Sequence, residues 1–146
     1  MKVFLSGSIR GGRQNLPVYQ QMVQIVENQG HDVASLHVAD PHVEENETGM
    51  SEAEIFERDM HLLDGCDCMV AEVSLASTGV GYEVCSALNL GIPVQCVYRE
   101  GSTVSAMLLG NTNHLILLDA YSEDKDLEAL IPSFLDFVSG EDAQVE

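Results

Sequence analysis

The sequence predicts a doubly wound α/β fold: one five-stranded parallel sheet, flavodoxin-like or Rossmann-like, with helices on both faces. Three observations carry that expectation. Short β-rich apolar runs alternate with longer amphipathic ones along the chain, as parallel strands joined by crossover helices require. A length of 146 residues suits one domain, expected over 1–139 with an acidic C-terminal tail at 140–146. Loops rich in Gly and Ser follow the first and third expected strands. In the strand order 2-1-3-4-5, those loops flank the switch point where such folds bind ligands.

The elements follow in order. Val3, Phe4 and Leu5 form a buried strand ended by Gly7. Residues 16–29 read as a helix with Val18, Met22, Ile25 and Val26 on one face, stopped by Gly30. A second strand is expected over 32–38, then a polar loop over 39–50. Ser51 and Glu54 make a capping box for a helix running to about 64, burying Ile55, Met60 and Leu63. The third strand spans 67–73 and a turn covers 74–79. A helix over 81–90 is closed by Gly91, with Pro93 beyond. A strand at 93–98, a short helix at 103–109, a strand at 114–118 and a helix at 124–138 complete the chain. Pro132 is expected to kink or break that last helix.

Composition narrows the function. Asp and Glu number 24 against 6 Lys and Arg, a formal net charge of −18. A nucleic-acid polymer needs an extended basic face, and a polybasic membrane anchor needs more cations than this. No stretch approaches the ~18–20 apolar residues of a membrane span, and Gly7, Ser8 and Arg10 interrupt the first apolar run too early for a signal peptide. A cytoplasmic location is expected, with Cys66, Cys68, Cys85 and Cys96 as free thiols. The scarcity of lysine (Lys2 and Lys125) suggests adaptation to a salt-rich cytoplasm.

Two loops carry chemistry. The first, Ser6-Gly7-Ser8-Ile9-Arg10-Gly11-Gly12-Arg13, joins a strand to a helix and could cradle a phosphate on backbone amides. It is neither a Walker A loop nor G-x-G-x-x-G. Two of the few cations, Arg10 and Arg13, sit in it, which favours an anion site; the alternative is a turn whose arginines pair with nearby carboxylates. The second is Ser74-Leu75-Ala76-Ser77-Thr78-Gly79-Val80-Gly81-Tyr82-Glu83. There Glu83 would lie in the first helical turn, where the dipole favours its ionised form. It reads as a nucleophile or sugar-hydroxyl ligand, or as an ordinary helix-start glutamate. Asp59 taken alone reads as a surface acid, and Ser105 and Met107 have only a weak claim. The five histidines and Cys66-x-Cys68 show no metal spacing. No metal or cofactor is expected. The absence of G-x-S-x-G disfavours an esterase.

Gly7-Ser8-Ile9-Arg10-Gly11-Gly12-Arg13, Ala71-Glu72-Val73 and Gly79-Val80-Gly81-Tyr82-Glu83 together resemble the motifs of the 2′-deoxynucleoside 5′-phosphate N-hydrolases, in the nucleoside 2-deoxyribosyltransferase superfamily. The resemblance runs from the first strand to about Leu109. It implies the five-stranded fold and cleavage of the N-glycosidic bond of deoxynucleoside monophosphates, through a covalent glycosyl-enzyme. By motif, Glu83 matches the nucleophile and Asp59 the acid that assists the leaving base. Ser8, Arg10, Gly12 and Ser77 match phosphate- and sugar-binding positions, and Gly7, Ile9, Gly11, Arg13, Gly79 and Met107 are further candidates for substrate contact. Ser105 matches a serine that enters the neighbouring subunit's site in a homodimer. Phe4 departs from the family pattern, standing where a tyrosine is common near the carboxylates. A deoxyribosyltransferase acting on nucleosides and a non-catalytic nucleotide sensor are the competing readings.

Overall fold

The computed structural model describes residues 1–140; the expected acidic tail lies outside the described residues beyond Gly140. Five parallel strands form one sheet in the order β2-β1-β3-β4-β5. They are β1 (Lys2–Ser6), β2 (Asp32–Val33), β3 (Cys68–Glu72), β4 (Val94–Arg99) and β5 (Ile116–Tyr121). The helices are α1 (Leu16–Asn28), α2 (Val43–Glu47), α3 (Glu52–Asp64), α4 (Thr78–Asn89), α5 (Ala106–Leu109) and α6 (Leu127–Ser139).

Side-chain alternation along the strands builds two cores. Val3, Leu5, Cys68 and Val70 meet Val18, Met22 and Val26 of α1 and Ile131 and Leu135 of α6. Phe4, Met69 and Ala71 point the other way, to Leu63 of α3 and Val80, Val84 and Ala87 of α4. Of the three residues expected in the core from α3, only Leu63 is fully buried. Ile55 faces a cavity instead.

Four sequence expectations are corrected. The second strand ends at Val33 rather than 38, because the Ser35 hydroxyl satisfies both backbone groups of Leu5: it accepts from Leu5 N at 2.8 Å and donates to Leu5 O at 2.6 Å. The chain then turns into a 3-10 helix, Leu36–Ala39. Within the expected loop 39–50 lies α2. Asp40 accepts from His42 N at 2.8 Å, and Glu44 and Glu45 complement the helix dipole in the first turn. The fifth strand starts two residues later and runs three further than expected. Asn111 and Asn113 turn the backbone ahead of it. Its polar residues are satisfied in place: Gln95 donates to Asp119 at 2.9 Å, and the Tyr121 hydroxyl donates to buried Glu72. Finally, α6 runs unbroken through Pro132.

Candidate active site

The carboxyl ends of β1 and β3 open onto a cavity of about 570 Å³, at the switch point of the sheet. Its wall includes Gly7, Ile9, Arg10 and Gly11 after β1, Ala76, Ser77, Thr78 and Gly79 after β3, Glu83 of α4, and Ile55, Phe56 and Asp59 of α3. The two loops touch. A side chain on Gly11 would come within 3.1 Å of the Ala76 carbonyl, and one on Gly7 within 2.6 Å of the Tyr19 ring. The Tyr19 hydroxyl oxygen also accepts from Ser8 N at 2.9 Å.

The helix carrying Glu83 begins earlier than the sequence suggests. Ser77 caps it, its Oγ accepting from Val80 N at 3.3 Å. Glu83 therefore lies in the second turn, not the first, and the expectation of dipole-favoured ionisation does not hold. Burial, and next the charge of Asp59, push its carboxyl up to about 8, against the Ser6 hydrogen bond and Arg58. Ser6 Oγ donates to Glu83 Oε1 at 3.3 Å. Ser6 lies two residues beyond Phe4 on the same strand and shares its sheet face.

Asp59 is held in the opposite sense. Burial pushes its carboxyl up, but hydrogen bonds from His37 and Arg58 outweigh that and hold it below the usual range. His37 Nε2 and Arg58 Nε lie 3.2 and 2.9 Å from the same oxygen, Oδ1. Arg58 also reaches Glu47 of α2. One cavity thus holds two carboxyl groups whose environments drive their ionisation apart, which separates a proton-bearing group from a standing anion.

The remaining expected residues divide. Arg10 lines the mouth with both terminal nitrogens on Glu52, at 2.9 Å each. Arg13 turns away: it donates to the carbonyls of Ser8, Val38 and Asp40 and lies over the Tyr19 ring, bracing the loop from behind. Ser8 and Gly12 lie off the cavity wall, Ser8 being buried with its Oγ unpartnered. Ser105 and Met107 line a second, more apolar cavity of about 580 Å³, which shares Ala76, Ser77, Thr78 and Val80 with the first. Sequence reasoning missed His37, Glu47, Phe56 and Arg58, and gave Ser6 no role beyond its place in the first loop. The rarity of cations that drew attention to Arg10 applies equally to Arg58, adjacent to Asp59; the others carry no local signal. Among the described residues, no three metal-ligating side chains converge.

A doubly wound sheet with paired carboxyl groups and an arginine lining a cavity at its switch point defines the class: a small α/β protein with an acidic cleft at the carboxyl ends of its strands. The family follows from comparison. The nucleoside 2-deoxyribosyltransferase model matches residues 3–130, and the chain belongs to that family. A relative from Methanococcoides burtonii, named as a 2′-deoxynucleoside 5′-phosphate N-hydrolase, is 62% identical over 77% of this chain and 92% of its own. A 5-hydroxymethyl-dUMP N-hydrolase from Esox lucius is 32% identical over 92% of this chain and 95% of its own. Among solved structures, a CMP N-glycosidase from Clostridium botulinum shares the fold, with a TM-score of 0.68 at 16% identity over 90% of this chain and 99% of that one.

Proposed function

We propose that the protein hydrolyses the N-glycosidic bond of 2′-deoxynucleoside 5′-monophosphates, releasing the free base and 2-deoxyribose 5-phosphate. The observation that carries this is the oppositely tuned pair, Glu83 and Asp59, in a cavity with Arg10 at its mouth. The relatives' names support the substrate class.

Arg10 and the first-turn amides of α4 are suited to a phosphate. Phe56 and Ile55 offer an apolar wall for a base. Near neutral pH the pair carries one proton, on Glu83. In the proposed sequence that proton passes to Asp59, leaving Glu83 as the carboxylate that attacks C1′. The C1′–N bond breaks, and the base departs with the bonding electrons and takes the proton from Asp59. A glycosyl ester on Glu83 results. Water, losing a proton to Asp59, then displaces the ester, as in retaining glycosidases. A 2-deoxy sugar lacks the electron-withdrawing hydroxyl that would oppose positive charge at C1′. Binding energy from the phosphate end positions the reacting carbon.

Chromatography of free base after incubation with each deoxynucleoside monophosphate, nucleoside and ribonucleotide tests this. Release from deoxynucleoside monophosphates alone is expected. Base exchange between nucleosides would instead indicate a transferase, and binding without turnover a sensor.

The same reading extends to a homodimer in which Ser105 reaches the neighbouring cavity. Met107 beside it is 80% exposed, next to the apolar second cavity. Light scattering should give twice the chain mass, and Ser105→Ala should raise KM for the monophosphate severalfold. A monomeric active enzyme would refute this arrangement.

A further inference from the structure

Arg58 and Asp59 are consecutive on α3, and consecutive helical side chains ordinarily point about 100° apart. Their hydrogen bond is therefore no by-product of helix geometry. The guanidinium is drawn across by other partners. Arg58 Nη2 binds the Glu47 carboxylate of α2, a side chain only 9% exposed, and Nη1 lies 3.7 Å from Met50 Sδ. Nε is left to meet Asp59 Oδ1. His37 approaches that same oxygen from the 3-10 helix after β2. Both bonds fall on Oδ1, and no protein group among the described residues bonds Oδ2. A carboxylate pinned by one oxygen cannot rotate freely, and its other oxygen is the one left for a ligand.

We infer that Arg58, clamped between Glu47 and Asp59, is a positioning residue: it fixes the Asp59 carboxylate so that Oδ2 alone serves the cavity. The inference rests on the proposed N-hydrolase reading. Arginine suits the task because its planar fork can serve two carboxylates at once; lysine offers a single charged point. Every charged or titratable group facing Asp59 enters the balance: His37 from the 3-10 helix, Arg58 on α3 itself, Glu47 from α2 through Arg58, and Glu83 from α4. Removing Arg58 withdraws a hydrogen bond and a positive charge from Asp59 while Glu83 remains, so Asp59 should hold its proton to higher pH.

The test uses Arg58→Gln, Arg58→Lys and Glu47→Gln. The Asp59 carboxyl carbon, assigned through Asp59→Asn, is titrated by NMR in the free protein, and kcat and KM are measured against pH. The expected result for Arg58→Gln is an Asp59 midpoint about one pH unit higher and an acid limb of kcat displaced with it. A tenfold or larger loss in kcat should accompany this with KM changed less than about twofold, and Arg58→Lys should recover part of it. The substrate phosphate adds the same ionisation to every variant, so only differences between them are read. A folded Arg58→Gln protein with the wild-type Asp59 midpoint and kcat profile would overturn the inference. If Arg58→Gln does not fold, the milder variants decide by the same titration. Wild-type protein that releases no base from any monophosphate would sink the proposed function, while the Asp59 titration would still judge the clamp.

Discussion

Glu83 concentrates the behaviour that a single residue can reveal. In the proposed chemistry the active form has one proton on the Glu83–Asp59 pair, so kcat/KM should fall as pH rises through about 8, the value to which burial lifts Glu83. A profile that instead climbs through 8 to a plateau would show that this proton is not needed. Glu83→Gln should lower kcat by at least about a thousandfold, because no carboxylate remains to form the ester. The same residue sets a stability trend. Its folded value exceeds the ordinary 4.5, so the folded state binds the proton more tightly. Its contribution is present below about 4.5 and is lost as pH rises to about 8. Glu83→Gln removes that loss and should melt higher than wild type at pH 8, a gain that shrinks toward pH 4. A variant that is both inactive and less stable at pH 8 would contradict the assigned environment. At the mouth, Glu52 holds Arg10 by both terminal nitrogens, and in the proposed reading a substrate phosphate takes its place. Glu52→Gln should therefore lower KM for monophosphates by about two- to fivefold, as expected for an exposed pair, with kcat unchanged. An unaltered KM would mean the pair does not compete with substrate.

At the level of elements, periodicity and caps made most of the fold legible. The Ser51–Glu54 capping box, Gly30 and the apolar face of α1 are all where the sequence places them. What escaped were places where a side chain replaces backbone pairing. Ser35 ends β2 by bonding Leu5, Asp40 helps start α2, and Asn113 delays β5. None of these depends on hydrophobic period, so pattern reading passes over them. The site was legible in part for the same reason. Loops at the strand ends stand out by composition, whereas His37, Glu47 and Arg58 converge only once the segment 36–50 folds over α3. Pro132 shows packing overriding local preference. The helix continues through it because Leu127, Ile131, Phe134 and Leu135 are buried on one side. The proline ring still forfeits a bond to the carbonyl four residues back. Pro132→Ala should therefore stabilise the protein by about 1–3 kcal/mol in urea unfolding; a loss of stability would mean that the ring's packing matters more.

Over the whole molecule, the charge balance disfavours a polymeric nucleic acid but not the single small phosphate of the proposed reading, because the few cations are used locally. Arg10 waits at the cavity mouth, Arg13 braces its loop, and Arg58 bridges two carboxylates. Little positive charge is left to offset the rest of a chain at −18. The excess carboxylates then repel one another in the compact state more than in an expanded one. Salt weakens that repulsion, with the screening length falling from ~10 Å at 0.1 M to ~3 Å at 1 M. The melting temperature should accordingly rise by several degrees between 0.1 and 1 M KCl at pH 7, most steeply at the low end. Buried pairs are screened less than exposed charges, so the Glu47–Arg58–Asp59 clamp should survive conditions that relieve the surface. A melting temperature flat to molar KCl would show that the acidic surface is not held back by self-repulsion, and would remove the case for adaptation to salt. Scanning calorimetry across the KCl series, at fixed protein concentration, separates these outcomes.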